Sequence, residues 1–191
     1  MADTANPTDA QRKYARQARA SMSAAERSRA SQRVARRFLN SRYFLNCQAI
    51  GCYLSSPEEV DTAAIIEHAW RAKKRVFAPV VDDQRGMSFR LLRPDTTLVR
   101  TRFGIWEPAN DALIDPKSLD VVLTPLVGFD DKGNRIGMGG GYFDRAFAFL
   151  GRRQIWRHPK LIGLAFDCQR IGKISPNPWD IPLSCVITET Y

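Results

Sequence analysis

The segment Arg135-Ile-Gly-Met-Gly-Gly-Gly-Tyr-Phe-Asp-Arg145 concentrates the residue types that hold phosphate. Gly137, Gly139, Gly140 and Gly141 remove side chains where a backbone would approach an anion closely. A helix starting just after them turns its unpaired N–H groups and positive dipole end toward the same point. Arg135 and Arg145 flank the loop and can supply charge to phosphate oxygens. Asp144, one turn into the helix, can hold Mg2+ beside them, because magnesium favours carboxylate oxygen together with bound phosphate. It reads equally as a first-turn acid favoured by the helix dipole. Neither common nucleotide loop is present: no Gly-Lys-Ser/Thr follows, and the Gly-x-Gly-x-x-Gly spacing with an acid about 20 residues on is not met. Tight turns without a ligand would account for the glycines, but not for the Tyr142-Phe143-Asp144-Arg145 helix start behind them.

The elements that must position this loop alternate. Ala49–Leu54 reads as a short buried strand, Asp61-Thr62 as the cap of a helix running to about Lys73, and Arg75–Pro79 as a second buried strand. Met87–Leu92, Leu119–Leu126, Leu161–Phe166 and Cys185–Thr188 complete a sheet, with a helix predicted over Tyr142–Leu150. The pattern predicts an α/β fold: a three-layer sandwich with a central, largely parallel sheet flanked by helices. The chain reads as one domain over residues 1–191, with 1–10 as a loose lead-in. In open sheets of this kind ligands bind at the carboxyl ends of strands, where the glycine loop falls.

Charge is the unusual bulk property. Between Arg12 and Arg42 ten basic residues face one acid, Glu26, so this window carries the whole net charge of +9 and the remainder is neutral. Ser23-Ala-Ala-Glu26 is a capping box, and the stripe Ala30, Val34, Phe38 with Ala35 and Leu39 predicts a helix whose arginines are its wet face. The preceding helix, about Thr8–Ala20, carries Arg12, Arg16 and Arg19 on neighbouring turns with little apolar surface, which invites a functional reading. A basic N-terminal region can also bind nucleic acid, but no helix-turn-helix, RNP or zinc pattern accompanies it. Four cysteines without a Cys-x-x-Cys pair, and two histidines, argue for reduced thiols over a zinc site. No apolar run approaches the roughly 20 residues of a membrane span, and a cytoplasmic location is expected.

The loop, together with Met22-Ser-Ala-Ala-Glu-Arg27, Tyr53-Leu-Ser-Ser-Pro-Glu-Glu-Val-Asp-Thr62, Glu107-Pro108, Leu123-Thr-Pro-Leu-Val-Gly-Phe-Asp130, Gly163-Leu-Ala-Phe-Asp-Cys-Gln169 and Trp179-Asp-Ile-Pro-Leu183, resembles the 5-formyltetrahydrofolate cyclo-ligases almost from end to end. The resemblance implies an ATP- and Mg2+-dependent enzyme that phosphorylates the formyl oxygen of 5-formyltetrahydrofolate, polyglutamylated or not. Attack by N10 and loss of phosphate then give 5,10-methenyltetrahydrofolate. It implies that Arg12, Arg16, Arg135, Ile136, Gly137, Met138, Gly139, Gly140, Gly141, Tyr142 and Phe143 bind ATP, with Arg135, Tyr142 and Asp144 catalytic. Leu54, Glu59, Phe103 and Tyr142 would contact the folate, and Asp144 and Asp180 would hold Mg2+. A monomer with no nucleic-acid or membrane partner is expected. Many members carry Gly-Lys-Gly where this chain has Gly139-Gly140-Gly141, and Tyr-Tyr-Asp where it has Tyr142-Phe143-Asp144, so another basic residue must replace the lysine charge. The alternatives are a nucleic-acid-binding protein and a protein of this fold acting on a different ATP-activated substrate.

Overall fold

A computed structural model describes residues 7–82, 86–101, 104–110, 112–153 and 158–190. Three helices lead: α1 (Pro7–Ala20), α2 (Ala24–Leu39) and the single turn α3 (Arg42–Leu45). The Ser23 capping box starts α2, the Ser23 hydroxyl accepting from the Glu26 N–H while the Glu26 carboxylate accepts from the Ser23 N–H. Then come β1 (Ala49–Gly51), α4 (Ala63–Arg71), β2 (Arg75–Val81) and β3 (Met87–Leu92). A hairpin of β4 (Leu98–Arg100) and β5 (Trp106–Pro108) precedes β6 (Leu113–Ile114) and β7 (Val121–Pro125). The chain continues through β8 (Gly128–Phe129), β9 (Arg135–Ile136), α5 (Tyr142–Ala146), β10 (Lys160–Leu164) and β11 (Cys185–Ile187).

Seven strands form one sheet in the order β11-β10-β7-β1-β2-β3-β6. The first five run parallel, as β1 register shows: Ile50 lies opposite both Val76 and Val121. Strands β3 and β6 then add an antiparallel edge, so the sheet is mixed and mostly parallel. Side-chain alternation sorts the core into two layers. Ile50, Val76, Ala78, Val121, Leu123, Ile162 and Leu164 pack under α2, α3 and α4 with Val34, Phe38 and Ile65. Ala49, Phe77, Val122, Leu161 and Val186 face the other way, against Phe147, Leu150, Ile181 and Leu183. The fold is the expected three-layer α/β sandwich.

One expectation about local structure is corrected. The helix predicted over Tyr142–Leu150 ends at Ala146, and a 3-10 turn spans Ala148–Arg152. A continuous helix would set Phe147 and Phe149 on opposite faces. The break at Phe147 (φ −107°) lets both rings pack against the sheet, their centroids 6.0 Å apart. Of the expected Asp61-Thr62 cap of α4, Asp61 does the capping: its carboxylate accepts from the Ala63 N–H, while the Thr62 hydroxyl donates to the Tyr53 carbonyl. Helix α1 begins at Pro7, inside the stretch expected to be a loose lead-in; residues 1–6 lie outside the described ones. Its buried apolar residue is Ala15, and it lies across β8 and the 3-10 turn Asp167–Gln169. Among the described residues no helix is long and apolar enough to cross a membrane.

Candidate active site

The short hairpin β8–β9 delivers the glycine loop beyond the carboxyl end of β7. Asp130 organises its turn: the carboxylate accepts from the Lys132, Asn134 and Ile174 N–H groups and from the Asn134 side chain. Burial works to raise the Asp130 pKa, but these hydrogen bonds to the charged form outweigh it and hold the group below its ordinary value. In the loop itself Gly139 (φ +97°) and Gly141 (φ +64°) occupy the left-handed region, which a side chain disfavours. Gly137 is outside that region, and a Cβ there would meet nothing within 4 Å.

Arg135 leads into the loop with its side chain only 6% exposed. It donates from Nη2 to Asp144 Oδ1 at 2.6 Å and from Nη1 to the Ile181 carbonyl, while the Ile181 N–H donates to the same Asp144 oxygen at 3.1 Å. Burial pulls the guanidinium pKa below its ordinary value, and the nearby Asp144 and Asp180 carboxylates push back. The two acids expected to share a metal thus share a cation. Asp180 accepts from the Asn177 backbone and side chain, both at Oδ2. Each acid therefore keeps one oxygen outside these bonds, which suits Mg2+ that keeps its waters and phosphate ligands better than a protein cage. Among the described residues no three His, Cys, Asp or Glu side chains cluster as such a cage.

Helix α1 closes the site from the other side. Arg12 Nε donates to the Gly137 carbonyl at 2.9 Å, and its Nη1 reaches Asp9. Arg16 lies exposed one turn on, in an open groove of about 420 Å³ that Arg12, Lys13, Gln17 and Glu58 also line. Arg145 donates from Nη2 to the Gly140 carbonyl at 2.8 Å and lies over the Tyr142 ring, 5.2 Å from its centroid. Met138 and Trp179, at 65% and 66% exposure, stand beside these residues in sequence with their side chains open to solvent. Ile136 is buried and Phe143 stacks on Phe147, so each offers a ligand its backbone rather than its side chain.

The turn after β1 carries the remaining predicted residues. Leu54 is half-buried against the core, and the Glu59 carboxylate accepts from the Ser56 N–H at 2.9 Å. Tyr53 anchors the turn from beneath, its hydroxyl donating to the Val60 carbonyl at 3.1 Å. Phe103, the remaining folate-side expectation, lies outside the described residues. Reading the sequence missed Asp9, Glu58 and Asp130. The i,i+3 spacing of Asp9 and Arg12 was a usable signal for the first. All four cysteines are free, with burial pushing the Cys47 pKa up to about 11 and that of Cys52 up to about 12.

Residues 5–189 match the model of the 5-formyltetrahydrofolate cyclo-ligase family. The chain is 36% identical over 174 residues to a 5-formyltetrahydrofolate cyclo-ligase of Haemophilus influenzae, covering 88% of this chain and 90% of that one. It is 36% identical over 179 residues to the Escherichia coli K12 protein of the same name, covering 91% and 95%. Among solved structures it resembles a 5,10-methenyltetrahydrofolate synthetase of Aquifex aeolicus, with a TM-score of 0.82 at 26% identity over 96% of this chain and 90% of that one. The corresponding Mycoplasma pneumoniae synthetase gives a TM-score of 0.74, also at 26% identity, over 96% and 99%.

Proposed function

The chain belongs to the 5-formyltetrahydrofolate cyclo-ligase family, and from that premise we propose that its glycine loop cradles the triphosphate of ATP while the turn 54–59 holds the pterin. The protein is a ligase that closes 5-formyltetrahydrofolate to 5,10-methenyltetrahydrofolate. The γ-phosphoryl group passes to the formyl oxygen, N10 attacks the activated carbon, and phosphate leaves. Little covalent chemistry falls to the protein, so its work is alignment and charge neutralisation.

The observation that carries this reading is the bond from Arg12 to the Gly137 carbonyl, which brings the basic face of α1 onto the glycine loop. Gly137 leaves open space for a phosphate to meet the backbone. Arg135, fixed by the Ile181 carbonyl, orients Asp144 so that its second oxygen stays available. Asp144 and Asp180 would hold Mg2+, which when bound neutralises phosphate charge. Arg145 lies against Gly140, the position of the usual lysine, and supplies the replacement charge. Glu59, anchored by the Ser56 N–H, accepts from pterin N–H donors, and Leu54 and Tyr142 pack on the ring.

Purified protein with Mg·ATP and 5-formyltetrahydrofolate should develop methenyl absorbance near the visible edge, and none without ATP. No absorbance with every component present would remove the reading.

A further inference from the structure

Arg19 is the one arginine of α1 that the interior takes in, at 5% exposure. With Arg12 and Arg16 it occupies i, i+4 and i+7, one face of the helix, so it stands about 10 Å along the axis from Arg12. Its Nη2 donates to Glu58 Oε2 at 3.0 Å. Its Nε is buried and has no partner among the described residues. In arginine these two N–H groups lie parallel along one edge and together match the two oxygens of a carboxylate. The pair is therefore half of a fork, with Nε waiting beside the bond already made.

The position of Glu58 gives this a consequence. The ends of the turn 53–62 are fixed to the core, through the Tyr53 hydroxyl on Val60, the Thr62 hydroxyl on Tyr53 and the Asp61 N–H on Ser31. The tip, Ser56 to Glu59, is held by two bonds within itself and by Arg19. A buried N–H without a partner is costly, so the second contact is favoured once the tip moves to reach it.

We propose that Arg19 is a positioning residue for the folate: bound substrate draws the 56–59 tip inward, Glu58 completes the fork on Arg19, and Glu59 is thereby fixed on the pterin. The proposal rests on the assignment of this turn to the folate. It makes α1 a strut that grips the glycine loop at Arg12 and the substrate turn at Arg19.

Glu58 is half-exposed, so Glu58→Gln should fold normally even if changes at Arg19 prove costly. Steady-state kinetics on wild type, Glu58→Gln, Arg19→Lys and the double variant test the idea. Each single change should raise KM for 5-formyltetrahydrofolate about tenfold with kcat and KM for ATP within about twofold, and the double variant should be no worse than Arg19→Lys alone. A merely structural role would lower Tm and the active fraction while leaving KM untouched, and that outcome overturns the proposal. So do effects that multiply in the double variant, or a rise confined to KM for ATP. Wild type that forms no methenyl product removes the functional reading and the proposal together; wild type that does, with Glu58→Gln unchanged in KM, removes the proposal alone.

Discussion

Asp144 has two duties, and separating them changes what its removal should do. The resemblance implies a catalytic acid that holds metal, so Asp144→Asn is expected to reduce turnover strongly and leave folding intact. In the structure it is also the counter-ion of a nearly buried guanidinium, and the amide would leave Arg135 short of charge. Asp144→Asn should therefore lower turnover about a hundredfold and also destabilise by about 2 kcal/mol, kept from the upper range because Asp180 faces the same cation. Steady-state rates beside thermal melts check both halves. Asp130 is the complementary case, an acid whose hydrogen bonds hold the turn before the glycine loop. Its pKa is depressed in the folded state, so its stabilisation is complete above the unfolded value of about 3.9 and is lost as pH falls through the lower folded value. Melts from pH 7 to pH 2 should show a steep acid limb in wild type. Asp130→Asn should start lower and fall less steeply.

Among the elements, the glycine loop separates what the backbone needs from what a ligand needs. Gly139→Ala forces a Cβ into the left-handed region and should cost about 1 kcal/mol, visible as a lower Tm without any ligand. Gly137→Ala meets no atom and no such strain, so its Tm should match wild type while KM for ATP rises about tenfold. An unchanged KM for ATP would take phosphate away from that position. Strand β3 was readable to the residue, Met87–Leu92, because Met87, Phe89 and Leu91 alternate with polar residues between flanking turn residues. The Tyr142–Leu150 helix was not, since its break depends on where Phe147 and Phe149 find the sheet, which local propensity does not encode. The three arginines of α1 were visible as a face. Which of them turns inward was not, because Glu58 lies thirty-nine residues away from Arg19.

At the level of the whole molecule the parallel strands point their carboxyl ends toward one edge, where α1 touches both the glycine loop and the turn 53–62. The excess charge that sequence alone left open to nucleic acid divides between the wet face of α2 and the site-facing side of α1. What holds α1 there is mostly polar: Gln11 donating to the Lys173 carbonyl, Arg12 to Gly137 and Arg19 to Glu58, with Ala15 as its buried apolar contact. A helix so attached opens at a small fraction of the global unfolding free energy. Its amide protons should therefore exchange with deuterated solvent far sooner than those of β1 or β7, and slow on addition of Mg·ATP and folate. Mass-resolved exchange of the α1 peptide would read that directly, and equal protection with and without ligands would break the link. The helix that completes the site is then also a clock for its occupancy, running fast when the site is empty and nearly stopping when it is filled.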